Sequence, residues 1–213
     1  WCNYDFSNQY SNPMSAGKHF YMLNENEWEE VLSIVIPDTV TVIKKYAFYG
    51  FENVIDVTIG NNVTTLGFNA FSNCDSLIDI ELPNSIISTG QGIFQECDSL
   101  RKVVIPSSLE RIENYSFEDC LCLEEVIISD GVNTIGQYAF CRCYNLKQIV
   151  LPKTLIGIGS YAFDGCYKLA IVYNNSSLNI TKGSSSYGGV AQYASEVLKD
   201  TNTDNLYQIG DFL

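Results

Sequence analysis

Phenylalanine recurs at positions 48, 71, 94, 117, 140 and 163, a constant period of 23 without one insertion. Self-similarity at a fixed period of this size is the mark of a stacked-repeat architecture. So short a unit cannot bury its own apolar face, and each copy needs a neighbour on either side. Three residues after each ring come Cys74, Cys97, Cys120, Cys143 and Cys166, with Phe51 in the first copy. Val54, Leu77, Leu100, Leu123, Leu146 and Leu169 follow, then alternating apolar pairs such as Ile80 with Leu82 or Val103 with Ile105. Prolines close several copies, at Pro37, Pro83, Pro106 and Pro152.

Within the unit, "LRKVVIP" and "LKQIVLP" place β-branched residues at alternate positions, the pattern of a strand with one buried face. Proline ends the strand, because it has no amide to continue a ladder. In "VNTIGQYAF" the apolar positions Val132, Ile135, Ala139 and Phe140 suit a short extended piece leading into a helical or 3₁₀ turn. Each copy is then one coil, and successive strands pair in parallel about 4.8 Å apart, so six coils span on the order of 30 Å. Three regions are expected: an aromatic-rich N-terminal cap over residues 1–30 that includes Trp28, six repeats over 31–173, and a C-terminal cap over 174–213. In the last, Val190, Tyr193, Ala194, Val197 and Leu198 share one face of a predicted amphipathic helix, and the tail from Thr201 to Leu213 adds an extended segment.

The unit "LxxIxIPxxVxxIGxYAFxxCxx" resembles the BspA-like leucine-rich repeats, over roughly Val31 to Tyr173. The second copy departs from it with Asn69 in place of tyrosine. The third departs in "STGQGIF", with Thr89 for an aliphatic residue and Ile93 for alanine. The resemblance implies a right-handed solenoid with a parallel sheet on its concave face. It also implies an extracellular or cell-surface setting and a role in adhesion or recognition, with a protein or glycan partner.

Composition removes other classes. The 213 residues are 46% hydrophobic, enough for one or two units, and the 25 acidic against 12 basic residues give a net charge of −13. Nucleic acid and anionic membranes are repelled by such a chain, and no apolar run approaches the roughly 18 residues of a membrane span. Starting at Trp1 with no basic-then-apolar leader, the sequence reads as a mature segment or a piece of a longer protein. Five of the eight cysteines belong to the repeat, where side chains on stacked coils run parallel and do not converge on an ion or on each other. They read as a column of reduced, packed thiols. Cys120 with Cys122 and Cys141 with Cys143 are spaced CxC, not the CxxC of zinc sites, and His19 stands alone in the cap. No metal or cofactor is expected. Cys2, Cys122 and Cys141 fall outside the column, and a Cys122–Cys141 bridge stays open. A single histidine removes the usual nucleophilic triads, and "KGSSSYGG" lacks phosphate-loop spacing. The one enzymatic arrangement, outward carboxylates at Asp56, Asp79 and Glu81 about 5–7 Å apart as in glycosidases, competes with a plain solvated acidic face on an open sheet. The chain reads as a non-enzyme.

Strand alternation then locates the candidate surface. One outward column is Val35, Thr58, Glu81, Val104, Ile127, Val150 and Tyr173; its neighbour is Ser33, Asp56, Asp79, Lys102, Glu125, Gln148 and Ile171. Val104, Ile127, Val150 and Tyr173 make an apolar ribbon, with Asp79, Glu81 and Glu125 as acidic positions beside it. Exposed contiguous apolar area marks partner sites, whereas strand propensity alone also favours such residues. Tyr115, Tyr138 and Tyr161 form a ladder on the convex side that serves either sugar binding or stacking. Two functions remain: a non-catalytic recognition module, or a rigid spacer in a larger surface protein.

Overall fold

A computed structural model describes residues 2, 6–13, 19–24 and 26–199. One strand from each coil enters an eight-stranded parallel sheet. In spatial order these are Ser33–Ile36, Asp56–Ile59, Asp79–Glu81, Lys102–Ile105, Glu125–Ile128, Gln148–Leu151, Ile171–Asn174 and Glu196–Leu198. The register is the sequence period itself: Val103, Val126, Ile149 and Val172 stand opposite one another across four strands. These inward residues are buried, as alternation requires. The solenoid makes about seven turns.

The phenylalanine column is the centre of the core. Rings from Phe48 to Phe163 stack with centroids 5.1 to 5.6 Å apart and planes within 20° of parallel. Backbone bonds lock the same spacing, since the Phe117 amide donates to the Ala139 carbonyl at 2.8 Å and the Phe94 amide to Ser116 at 2.9 Å. The repeat cysteines have a polar role as well as a packing one. Cys74, Cys97, Cys120, Cys143 and Cys166 each direct Sγ–H at the carbonyl of the phenylalanine one coil back, at 3.1 to 3.2 Å. A thiol is apolar enough for the core and still satisfies a buried carbonyl. In the first copy Phe51 packs edge-on against Phe48 and also meets Phe20.

On the opposite side the chain makes successive turns closed by i→i+3 bonds, such as Cys97 N to Phe94 O and Leu100 N to Cys97 O. No helix follows, because two positions per coil adopt left-handed φ: Tyr46, Asn69, Gly92, Tyr115, Tyr138 and Tyr161 at one, Gly50, Asn73, Glu96, Asp119, Arg142 and Gly165 at the other. Asn69 and Gly92, which stand where the other copies have tyrosine, are thus the residues that take this conformation at least cost. Between strand and turns lies a second, interrupted ladder, Val42–Ile43 with Thr65–Leu66 and Ser88–Thr89, then Arg111–Ile112 with Thr134–Ile135 and Gly157–Ile158. It continues only where glycine follows. A Cβ at Gly136 would lie 2.6 Å from the Asn114 amide nitrogen, and that closeness lets the Gly136 amide reach Ile112 O at 2.8 Å. Glu113 holds this position in the fourth coil, and there the ladder splits.

The two ends differ from expectation. No α-helix occurs among the described residues, so the predicted helix over residues 190–199 is replaced by a last, longer coil. A 3₁₀ turn at Tyr187–Gly189 precedes the strand Glu196–Leu198, whose Glu196 pairs with Ile171, two positions later than the regular period would bring it. The open backbone groups of the preceding coil decide this: Phe163 donates to Gly188 O at 2.8 Å, and Ser195 donates to Ala170 O at 2.8 Å. Val190 and Ala194, counted on the apolar helix face, are buried in this coil instead. At the other end, buried Asn12 donates from Nδ2 to the carbonyls of Tyr46 and Tyr49. Asn53 bridges Phe20 N and Val31 O. The hairpin of Tyr21–Asn24 and Glu27–Glu30 projects from this end, and Trp28, expected over the first coil, is 70% exposed. The tail expected from Thr201 to Leu213 lies outside the described residues.

Candidate functional site

The outward columns fall in register as the period dictates. Val104 pairs with Ile127, Ile127 with Val150 and Val150 with Tyr173, so these four form one ribbon across adjacent strands. Leu198 extends it, opposite Tyr173. Sequence reasoning missed Leu198 because it assigned that segment to a helix; the signal was an alternating "SEVLK" after "SYGG", a weakened copy of "SYAF". The ribbon is not uniformly open. Val35 is 72% exposed and Val104 36%, whereas Ile127, Val150 and Tyr173 are half-buried by their neighbours.

The neighbouring column carries the charge. Asp56 stands opposite Asp79, Asp79 opposite Lys102, and Lys102 opposite Glu125. Lys102 Nζ pairs with Glu125 Oε2 at 3.1 Å, so Glu125 is already partnered beside the ribbon. Asp56 accepts from Ser33 Oγ at 3.0 Å. Asp56, Asp79 and Glu81 share a concave cleft of about 640 Å³ with Thr58, Asn61 and Asn84. The cleft runs along the sheet and holds three carboxylates, Asp56 and Asp79 opposite each other on adjacent strands and Glu81 beside them, with Lys102 on the next strand opposite Asp79.

The convex side holds features that the repeat pattern only partly indicates. Tyr115, Tyr138 and Tyr161 stack at 5.3 and 5.2 Å. A second ladder, Tyr144 on Tyr167 at 5.7 Å with Tyr193 edge-on at 5.1 Å, occupies the position after the cysteine. It was visible in sequence only as two tyrosines one period apart. Arg142 reaches back one coil, donating from Nε and Nη2 to Asp119 and from Nη2 to Glu118 at 2.9 Å; Glu118 also accepts from Gln95 at 2.8 Å. Burial, then Asp119 and Glu118, pushes the Glu96 carboxyl above its ordinary range, and burial with Asp119 does the same for Asp98. Desolvation raises the thiols of Cys97, Cys120, Cys143 and Cys166, and moves Cys141 to about 11. All eight cysteines are free, Cys122 exposed and Cys2 half-buried. Among the described residues no group of three or more potential ligands is arranged for a metal ion, and no helix is long and apolar enough to cross a membrane.

The family described as the BspA type leucine rich repeat region matches residues 25–147 and 110–190, in six copies. The chain belongs to this family. Among solved structures, this BspA-type array is similar to a leucine rich cell surface protein from Faecalibacterium prausnitzii A2-165, at 26% identity and a TM-score of 0.60, over 76% of this chain and 54% of that one. It shares its fold with a leucine-rich repeat protein from Eubacterium ventriosum ATCC 27560, at 24% identity and a TM-score of 0.64, over 80% of this chain and 54% of that one. A third is the T. pallidum leucine rich repeat protein, at 24% identity and a TM-score of 0.51, over 87% and 81% of the two chains. The array spans about half the length of the first two. No curated protein matches it by sequence. A BspA-type repeat region is a protein-interaction or structural module.

Proposed function

We propose that this chain is a non-catalytic recognition module of a surface or secreted protein, and that it binds a protein partner across the C-terminal half of its concave sheet. The ribbon of Val104, Ile127, Val150, Tyr173 and Leu198 carries this reading: five apolar side chains on adjacent parallel strands point away from the core. Covering such a ribbon releases about 25 cal/mol per Å² of apolar area. The acidic cleft at Asp56, Asp79 and Glu81 adjoins it and selects a basic rim on the partner. The likeness to a protein described as a cell surface protein supports the setting. The cleft lies open along the sheet and does not enclose a substrate, which argues against hydrolysis.

The spacer reading has one observation in its favour, the half-burial of Ile127, Val150 and Tyr173. Screening the protein against extracellular matrix proteins, then repeating the strongest interaction with Ile127→Asp, separates the two. Loss of binding with an unchanged melting temperature supports the recognition surface. Normal binding by a folded Ile127→Asp leaves strand propensity as the reason for the ribbon.

A further inference from the structure

We propose a second binding site, for a neutral saccharide, on the convex side where the tyrosine ladder meets the last coil. It does not rest on the concave-sheet reading. Of the three rings Tyr138 is stacked on both faces, the ladder begins at Tyr115 because the coil before it has Gly92 at that position, and the stacking stops at Tyr161. The last coil is longer here: Phe163 N bonds Gly188 O, which places Tyr187 opposite Tyr161, three positions later than the regular period would bring it. Tyr187 keeps the left-handed φ of the position, 51°, yet among the described residues the one ring stacked on Tyr161 is Tyr138. One face of Tyr161 therefore carries no ring, and the side chain is 56% exposed where Tyr115 and Tyr138 are half-buried.

That face opens on a cleft of about 440 Å³ lined by Ser160, Tyr161, Asp164, Ser185, Tyr187 and Gln192, a volume within the range of small-ligand sites. Its polar groups are unspent. The Asp164 carboxylate and the hydroxyls of Ser160 and Ser185 have no side-chain partner among the described residues, and Gln192 uses only Nε2, on Tyr193. A pyranose ring needs this combination: an aromatic face with negative potential beneath its C–H groups, and mixed donors and acceptors around its hydroxyls. No basic side chain lines the cleft, so Asp164 disfavours acidic sugars. A quaternary ammonium ion would also accept an aromatic face, but it makes no hydrogen bond to the Ser160 and Ser185 hydroxyls or the Gln192 amide, and a saccharide does.

The test uses the folded chain on an array of neutral oligosaccharides, followed by saturation-transfer NMR with the glycan retained most strongly. Tyr161→Asn removes the ring without new backbone strain, because Asn69 already occupies the same repeat position with φ 49°. It is expected to weaken binding by at least about tenfold, Asp164→Asn by about threefold or more, and Tyr161→Phe to retain it. Ile127→Asp, on the other face, should leave glycan binding unchanged, so failure of the concave-sheet reading shows separately. The proposal is overturned if no neutral glycan is retained, if Tyr161→Asn binds like the parent, or if tetramethylammonium perturbs Tyr161 where no sugar does.

Discussion

Replacing Phe117 by alanine measures how far the array behaves as one packed column. Phe117 is fully buried, with Phe94 stacked at 5.5 Å on one side and Phe140 at 5.2 Å on the other. Removing the ring forfeits a transfer contribution of about 1.5–3 kcal/mol. It also leaves a cavity on the order of 100 Å³, which at about 24 cal/mol per Å³ costs up to roughly 2 kcal/mol if it does not close. Little closure is available, because the amides on either side of the gap are held by inter-coil bonds such as Phe117 N to Ala139 O at 2.8 Å. The expected loss is therefore about 3–5 kcal/mol, or roughly 6–20 °C in melting temperature for a chain of this size. Phe163 supplies the internal comparison. It has Phe140 on one side, but the last coil sets a glycine turn against the other, so Phe163→Ala should cost roughly half as much. Urea melts followed by circular dichroism read both. A loss below about 1 kcal/mol for Phe117→Ala, or a larger loss at Phe163 than at Phe117, would refute the reasoning that confinement between two rings sets the cost.

Gly136→Ala should destabilise by about 1–3 kcal/mol, since its Cβ meets backbone and not a movable side-chain tip; a thermal melt unchanged from the parent would contradict that close approach. Thiol titration of the native protein should find Cys122 reacting first and Cys74, Cys97, Cys120, Cys143 and Cys166 reacting only on unfolding, all five reduced; fewer than five free thiols in that column after denaturation would sink the packed-thiol account. Glu96 has its folded pKa raised, so the folded state holds its proton more tightly. That contribution is complete below the unfolded value near about 4.3 and is lost as pH rises through the folded value. Glu96→Gln should therefore raise the melting temperature at pH 7 and lose that advantage near pH 4, and an equal gain at both values would be the contrary result.

The six coils were legible because one period fixes everything at once. When Phe94, Phe117 and Phe140 repeat at a fixed interval, so do Cys97, Cys120 and Cys143, and the register of Val103 on Val126 follows with no further information. The outward columns came with it. What the pattern did not carry was anything set by a departure from the period. Val190, Tyr193, Ala194 and Val197 sit at helical spacing, and no local feature says that the free edge of Ile171–Asn174 will capture Glu196–Leu198 instead. The thiol-to-carbonyl bonds were equally hidden, because a column of cysteines reads the same whether sulfur is a filler or a donor. The Lys102–Glu125 pair was readable from the register, and it alters the chemistry of the ribbon's edge: Glu125 is partly neutralised, so Asp56, Asp79 and Glu81 hold most of the unpaired charge.

The same departure shapes both faces of the last coil. At the strand the insertion is two positions, an even number, which by parity of the pleat keeps Leu198 on the outward side, opposite Tyr173, and lengthens the apolar ribbon. At the tyrosine position the insertion is three, with Gly188 and Gly189 where the preceding coil has Ala162 and Phe163, and Tyr187 leaves the ladder while Tyr161 loses its cover. A strict seventh repeat would have stacked a ring on Tyr161 and filled the cleft. In a repeat protein the core tolerates little variation, since each coil is template for the next; binding chemistry is then confined to outward columns and to places where the template is broken. Here one break continues the first kind of surface and creates the second.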